Sequence, residues 1–178
     1  MMEIELKARL DNPAAVEACV VSFARYVRTF DKSDEYWHGR GWRDARGTKG
    51  FRLRKDNGTS VVTFKQKTYL DGMEVNKETE FEVSDAEAFY ALVLRLDCEP
   101  YYRKRKHGTA YEYQGCTIEL LEVDGLGHFI EIERLIESND TIELAKAKEL
   151  VRSILARAGV SDEQIEARTY SAMILGDA

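Results

Sequence analysis

Cysteine is scarce in this chain. Cys19, Cys98 and Cys116 are its three cysteines, odd in number and widely spaced. That argues against a disulfide framework and against a zinc site, and it fits a reducing compartment. Long apolar runs are also lacking. None approaches the roughly 18 residues that a membrane-spanning helix needs, and the N-terminus carries no signal-like apolar stretch. The expectation is a cytoplasmic protein with no membrane partner. Basic residues are in deficit, Lys+Arg 26 against Asp+Glu 32, leaving a net charge of −6. This argues against a generally basic nucleic-acid binder but leaves room for a local basic cavity. Tandem repeats, linkers and low-complexity tracts are missing, so residues 1–178 read as a single domain, long enough to bury a core. What the chain does have is charge, 33% of residues against 44% apolar, a globular balance.

The residue pattern predicts its elements. Glu3-Ile4-Glu5-Leu6-Lys7 alternates as a strand. Asn12-Pro13 caps and opens a helix whose apolar positions Val16, Val20, Phe23 and Val27 carry it to about residue 27. A strand follows from about Arg28 to Trp37, then a basic, glycine-containing loop over 38–49, a loop type that often covers phosphate sites. Three strands joined by turns at Asp56-Asn57-Gly58 and Asp71-Gly72 come next, the last spanning Glu74–Val83. Ser84-x-x-Glu87 reads as a capping box for a helix with an apolar stripe of Phe89, Leu92, Val93 and Leu96. A strand at Tyr101–Lys106, a hairpin into Cys116–Val123 and a Gly125-Leu126-Gly127 turn into a last strand complete the β-structure. A long helix over Asp140–Ala158 stops at Gly159. Ser161-x-x-Gln164 then caps one short helix that includes Arg168, Tyr170 and Ile174. The fold class is α+β, with about eight antiparallel strands and about four or five helices.

Sorting strand residues by parity separates charge from oil. Glu3/Glu5/Lys7, Arg52/Arg54, Lys65/Lys67, Glu78/Glu80/Glu82 and Glu131/Glu133 each share one face, opposite Ile4/Leu6, Phe51/Leu53, Val62/Phe64, Phe81/Val83 and Ile130/Ile132. One strand with a wet face is ordinary. Strands wholly acidic or wholly basic on that face repel themselves unless neighbours or a ligand compensate. Helices covering the apolar faces leave the charged faces looking at one another across an eight-stranded antiparallel β-barrel with a polar tunnel. Arg and Lys suit phosphate oxygens. Carboxylates beside them are compatible with phosphate when they hold a hard divalent cation that bridges to it.

Glu-x-Glu-x-Lys on the first strand resembles the signature of the CYTH superfamily, which groups class IV adenylyl cyclases, thiamine triphosphatases and other triphosphate tunnel metalloenzymes. The resemblance extends through Asp34-x-Tyr36, Phe51-Arg52-Leu53-Arg54, Thr63-Phe64-Lys65, Glu78-x-Glu80, Gly125-Leu126-Gly127-x-Phe129-x-Glu131-x-Glu133 and Arg168-Thr169-Tyr170. It implies a tunnel that binds a triphosphate with Mg²⁺ or Mn²⁺. It implies Glu3, Glu5, Glu131 and Glu133 as metal ligands, and Lys7, Arg52, Arg54, Lys65 and Lys67 as a phosphate cradle. Glu78 and Glu80 match inward acidic positions that orient the basic side chains or water. Lys7, Lys65 and Tyr36 are the candidate catalytic residues, Tyr36 as a general acid, as a group that orients a phosphate, or as a packed tyrosine.

In Arg103-Lys104-Arg105-Lys106 alternate members face opposite ways. Spacing back from the glycine turn favours Lys104 and Lys106 inside, whereas a bulge in the hairpin hands the role to Arg103 and Arg105. One departure stands out: many family members carry an Asp where this chain has Leu121, and Glu119 shares its parity. His38, His107 and His128 make no ligand spacing and read as surface residues. Trp37 and Trp42 flank the basic loop, either packed or stacking on a base.

The leading expectation is a metal-dependent enzyme that cleaves a phosphoanhydride bond of a triphosphate, with hydrolysis favoured because water needs no purine pocket. A class IV adenylyl cyclase is the alternative, and a non-catalytic polyphosphate- or nucleotide-binding module the third reading. The oligomeric state, a homodimer included, is left open.

Overall fold

The structure is a computed structural model that describes residues 2–40, 50–70, 73–137 and 140–176, without the side chains of 65–70 and 73–77. Eight strands, β1 (Met2–Arg9), β2 (Arg25–Gly39), β3 (Phe51–Asp56), β4 (Thr59–Leu70), β5 (Met73–Glu82), β6 (Cys98–Tyr113), β7 (Cys116–Val123) and β8 (Gly127–Ile136), form it together with helices α1 (Pro13–Val21), α2 (Ala86–Arg95), α3 (Thr141–Arg157) and α4 (Tyr170–Leu175). The strands close into an antiparallel barrel in the order β1-β5-β4-β3-β2-β6-β7-β8. The ring shuts because β1 pairs on both edges, Glu5 opposite Glu74 of β5 and opposite Glu133 of β8. This is the α+β tunnel architecture expected from parity.

The main core lies outside the barrel. Ile4, Leu6 and Ala8 of β1, Ile118 of β7 and Ile130 and Ile132 of β8 pack against Val16 and Val20 of α1 and Val151, Ile154 and Leu155 of α3. Each fully buried aliphatic side chain of this kind stabilises the fold by about 1.5–3 kcal/mol. With that face occupied, the alternate residues of the same strands point into the barrel. Between β3 and β4, Asn57 (φ 48°) and Gly58 (φ 92°) make the tight turn that Asn-Gly favours. Among the described residues no helix is long and apolar enough to cross a membrane.

Several element limits differ from those the sequence suggests. Helix α1 ends at Val21, because the backbone N–H of Ser22 turns back onto Cys19 and Val20 and its hydroxyl bonds the Cys19 carbonyl at 2.6 Å. Val27 therefore lies in β2, which begins at Arg25, and Phe23 packs edge-on against Tyr113 at 5.0 Å. The N-cap of α2 is Asp85, not Ser84: its carboxylate accepts from Ala88 N at 3.0 Å. Only Val93 of the α2 stripe is buried, with Leu92 and Leu96 exposed, since α2 touches the barrel through Phe89, packed on Phe51 and Phe81. The Ser161/Gln164 box closes a single 3₁₀ turn, Asp162–Gln164. Ile165 then bridges to Ala8 and Glu166 N donates to the Lys7 carbonyl, so a new cap, Thr169, has to start α4. The Asp71-Gly72 turn and most of the 38–49 loop lie outside the described residues.

Candidate functional site

On β3, Arg52 and Arg54 point inward and each is fixed by a partner. Arg54 donates from Nε and Nη2 to the two carboxylate oxygens of Asp34 on β2, at 2.7 and 2.9 Å. Lys104 of β6 adds its ammonium 3.4 Å from the same carboxylate. Asp34 is fully buried; burial alone raises a carboxyl pKa, but Arg54 and Lys104 outweigh it and hold Asp34 far below the usual range. Arg52 donates to Thr63 Oγ1 at 2.8 Å and reaches Glu80 at 3.4 Å, and Thr63 in turn donates to Glu80 at 2.6 Å. The Nε of Arg52 is buried without a hydrogen-bond partner.

Lys104 and Lys106 are the buried members of their tetrad, while Arg103 and Arg105 lie outside, paired with Glu35 and Asp31. The hairpin of β6 with β7 pairs without a register shift, and the two shifts between β2 and β6, at Tyr26/Arg28 and Tyr36/Trp37, fall on either side of the tetrad, so its parity is not inverted. Lys106 bonds Glu119 at 2.9 Å and Glu131 at 2.6 Å, and Lys32 of β2 bonds Glu119 from the other side. Burial lowers an ammonium pKa, yet Glu119 and Glu131 together raise that of Lys106. Burial likewise opposes ionisation of Glu131, but Lys106 and Lys104 hold it well below the usual range.

The acidic patch is different. Glu133, opposite Glu5 across the β1–β8 ladder, is pushed up to about 8, first by burial and then by Glu3, Glu5, Glu119 and Glu78. Glu3 is buried and Glu5 half-buried on the same inner face. Lys7 donates to the carbonyl of Arg168 at 2.6 Å. Tyr36 stacks on Tyr102, centroids 4.1 Å apart and 8° from parallel. Burial raises the Tyr36 phenol, but Lys104, Arg52 and Arg54 overcome this and the opposing Asp34, and hold it below its usual value.

The family model of the CYTH domain matches residues 1–170. The chain belongs to the CYTH family. A protein of Pyrococcus horikoshii OT3 is 27% identical, with a TM-score of 0.86 and 99% of each chain covered. A Methanocaldococcus jannaschii protein, whose name provisionally makes it an adenylate cyclase, is 26% identical over 96% of this chain and 97% of its own. A Hippeastrum protein named for adenylyl cyclase, and described as having a dominant triphosphatase activity, shares the fold at 18% identity and a TM-score of 0.71, covering 99% of this chain and 97% of that one. CYTH triphosphate tunnel enzymes bind triphosphates and are metal-dependent in general.

For a CYTH metal, the residues fit by chemistry. Among the described residues no three His, Cys, Asp or Glu side chains converge on one point. Yet burial, and after it the carboxylates of Glu3, Glu5, Glu119 and Glu78, push Glu133 up to about 8, and the like-charge part of that crowding is what a hard divalent cation would relieve. Glu131, grouped with them by resemblance, is instead neutralised by Lys106. Glu78 is half-buried on β5, in register with Lys65. The side chains of Lys65 and Lys67 lie outside the described residues, and only their backbone places them on β4 opposite Glu78 and Asn76.

Leu121 does not supply an oxygen. It is buried with Phe30, Val123, Phe129 and Tyr170, and the carboxylate on that parity is Glu119, already bonded by two lysines. His38 is buried beside Tyr101, a correction to its surface reading; it shares the inward parity of Asp34 and Tyr36, and Nδ1 lies 3.0 Å from the Gly39 carbonyl. His107 and His128 are exposed. Trp37 is packed, stacked with Phe51 at 6.4 Å and tilted on Tyr90 at 5.8 Å; Trp42 lies outside the described residues. Sequence parity names Arg52, Arg54 and Glu133 but misses Lys32, Thr63 and Tyr102, although Lys32 shares the parity of Asp34 and Tyr36 and was open to the same rule.

Proposed function

We propose that the barrel binds a triphosphate together with Mg²⁺ or Mn²⁺ and cleaves a phosphoanhydride bond by hydrolysis. The observation that carries the reading is the division of one interior into a cationic wall and an acidic patch. Arg54 and Lys104 share the fully buried Asp34, and Arg52 beside Arg54 on the same strand face is balanced, among the described residues, only by the half-exposed Glu80. The unpartnered Nε–H of Arg52 is a spare guanidinium donor on that wall, and guanidinium donors suit phosphate oxygens.

In this reading Arg52, Arg54 and Lys104 grip the phosphate chain, Asp34 keeps Arg54 and Lys104 aimed, and Lys7, Lys65, Lys67 and Lys106 add positive charge along it. Glu78 and Glu80 keep the basic side chains oriented. Tyr36, its phenol held below its usual pKa by the same cations, holds or delivers a proton at the leaving phosphate oxygen. Glu3, Glu5 and Glu133, joined by Glu131 when Lys106 turns to phosphate, would hold the cation, and the chemistry it would supply there is neutralisation of phosphate charge and polarisation of water. The chemistry rests on positioning and charge neutralisation, with no covalent intermediate on the protein.

The name of the Methanocaldococcus relative favours a second reading, in which the ribose 3′-hydroxyl of ATP attacks the α-phosphorus and pyrophosphate leaves. Hydrolysis is preferred because Trp37, one candidate for stacking a purine, is committed to Phe51 and Tyr90. The test is to incubate the protein with ATP, tripolyphosphate and thiamine triphosphate, each with Mg²⁺ and with Mn²⁺, and to separate the products. Orthophosphate supports hydrolysis. Cyclic AMP with pyrophosphate supports the cyclase, and bound but unchanged ligand supports the non-catalytic module that Leu121 raises.

A further inference from the structure

The Tyr170 ring touches two ammonium groups at once. Lys7 Nζ lies 4.6 Å from its centroid and Lys104 Nζ 4.5 Å from it, while Phe129 meets it edge-on at 5.2 Å. The two lysines come from β1 and β6, strands separated in the barrel by β8 and β7. Like charges in a poorly hydrated interior repel, and an aromatic face attracts each of them. Tyr170 is fixed from behind by the chain that leads to it. Glu166 N donates to the Lys7 carbonyl at 2.9 Å, and Arg9 binds Glu166 at 2.9 Å. Lys7 itself donates to the carbonyl of Arg168.

A second observation is independent of the first. Tyr170 is 8% exposed, and its buried hydroxyl makes no well-formed hydrogen bond; burial and then the neighbouring Glu131 carboxylate push its phenol well above the usual value. As a packing residue beside Phe129 and Leu121, phenylalanine would serve better, because a buried unpaired hydroxyl is costly. The hydroxyl is a donor set beside two cations and the carboxylate of Glu131, an acceptor that Lys106 already engages at 2.6 Å.

We propose that Tyr170 is a positioning residue that sets phosphate chain length. Its ring holds Lys7 and Lys104 apart as two separate anchors, which a triphosphate spans and a diphosphate does not, and its hydroxyl donates to a phosphate oxygen between them. The inference rests on the triphosphate reading above and deepens it.

The experiment is calorimetric titration of imidotriphosphate and of imidodiphosphate, both with Mg²⁺, into the wild-type protein, Tyr170→Phe and Tyr170→Met, with melting curves recorded for each. Tyr170→Phe keeps the ring; it weakens both ligands by roughly threefold to tenfold, leaves their affinity ratio unchanged and does not lower the melting temperature. Tyr170→Met removes the ring and reduces the preference for the triphosphate by about tenfold or more; Tyr170→Leu takes its place if that variant does not fold. A wild-type ratio in the ring-less variant overturns the proposal, as does loss of the ratio in Tyr170→Phe. Wild-type protein that binds neither compound overturns the triphosphate reading itself, so the two failures are distinct.

Discussion

Arg54 and Asp34 meet at two points inside the barrel, Nε to Oδ1 at 2.7 Å and Nη2 to Oδ2 at 2.9 Å, with Lys104 closing on the same carboxylate. A buried aspartate shared by two cations does two jobs. It makes the cationic wall tolerable in the absence of an anionic ligand, and it presents the guanidinium in one orientation.

Asp34→Asn separates these jobs. Without the carboxylate, Arg54 and Lys104 face each other unneutralised, and stability falls by about 3 kcal/mol, the usual scale for breaking a buried pair. A triphosphate returns the missing negative charge. The melting-temperature rise on adding imidotriphosphate with Mg²⁺ is therefore larger in Asp34→Asn than in the wild type. Equal rises would mean the wall is not where the anion binds.

Glu5→Gln keeps size and removes one charge from the acidic patch. It lies opposite Glu133, whose carboxyl Glu5 helps push up to about 8. Turnover is lost across Mg²⁺ and Mn²⁺ titrations while the metal-free protein is as stable as the wild type or more so. Wild-type turnover in this variant would remove the metal assignment.

How much of this was legible in the sequence depends on the period of the pattern. Strand parity has a period of two and cannot drift, so Glu3/Glu5/Lys7 and Arg52/Arg54 could be put on one face without coordinates. Pairing across the barrel could not be read that way. That Lys106 sits between Glu119 and Glu131, or Arg54 against Asp34, depends on the register between paired strands, which parity along a single strand does not fix. The same limit left the Arg103–Lys106 tetrad open, and the unshifted pairing of β6 with β7 closes it in favour of Lys104 and Lys106. Helix ends failed for a different reason: Phe23 and Val27 continue a helical spacing, but one is a core contact in the loop and the other a strand residue. Tyr170 looked like part of a short helix, and only the C-terminal segment's attachment to β1 brings it to Lys7.

That attachment has a pH dependence of predictable sign. Arg168 and Arg9 together hold the Glu166 carboxyl down to about 2, against the smaller opposing effect of burial. A lowered carboxyl stabilises the fold above its unfolded value of about 4.3, and the contribution disappears as pH falls toward 2. Glu166→Gln therefore costs about 1–2 kcal/mol near pH 7, discounted because Arg168 is largely exposed. Urea unfolding of both proteins between pH 7 and pH 2.5 checks this. The two stability curves should converge at the acid end; a constant gap would show that the carboxyl is not the cause.

The central claim is that a triphosphate is held by the inner cationic wall. It is tested most directly by titrating imidotriphosphate with Mg²⁺ into the wild-type protein, Arg54→Ala and Arg105→Ala, which change net charge equally. Arg54 is inside the barrel, whereas Arg105 is exposed and paired with exposed Asp31. Losing a charge-assisted contact inside costs roughly 2–3 kcal/mol, a 30- to 150-fold loss of affinity, whereas water and salt screen an exposed charge. The account predicts that large loss for Arg54→Ala and less than about fivefold for Arg105→Ala; equal losses, or no binding by the wild type at millimolar ligand, would contradict it.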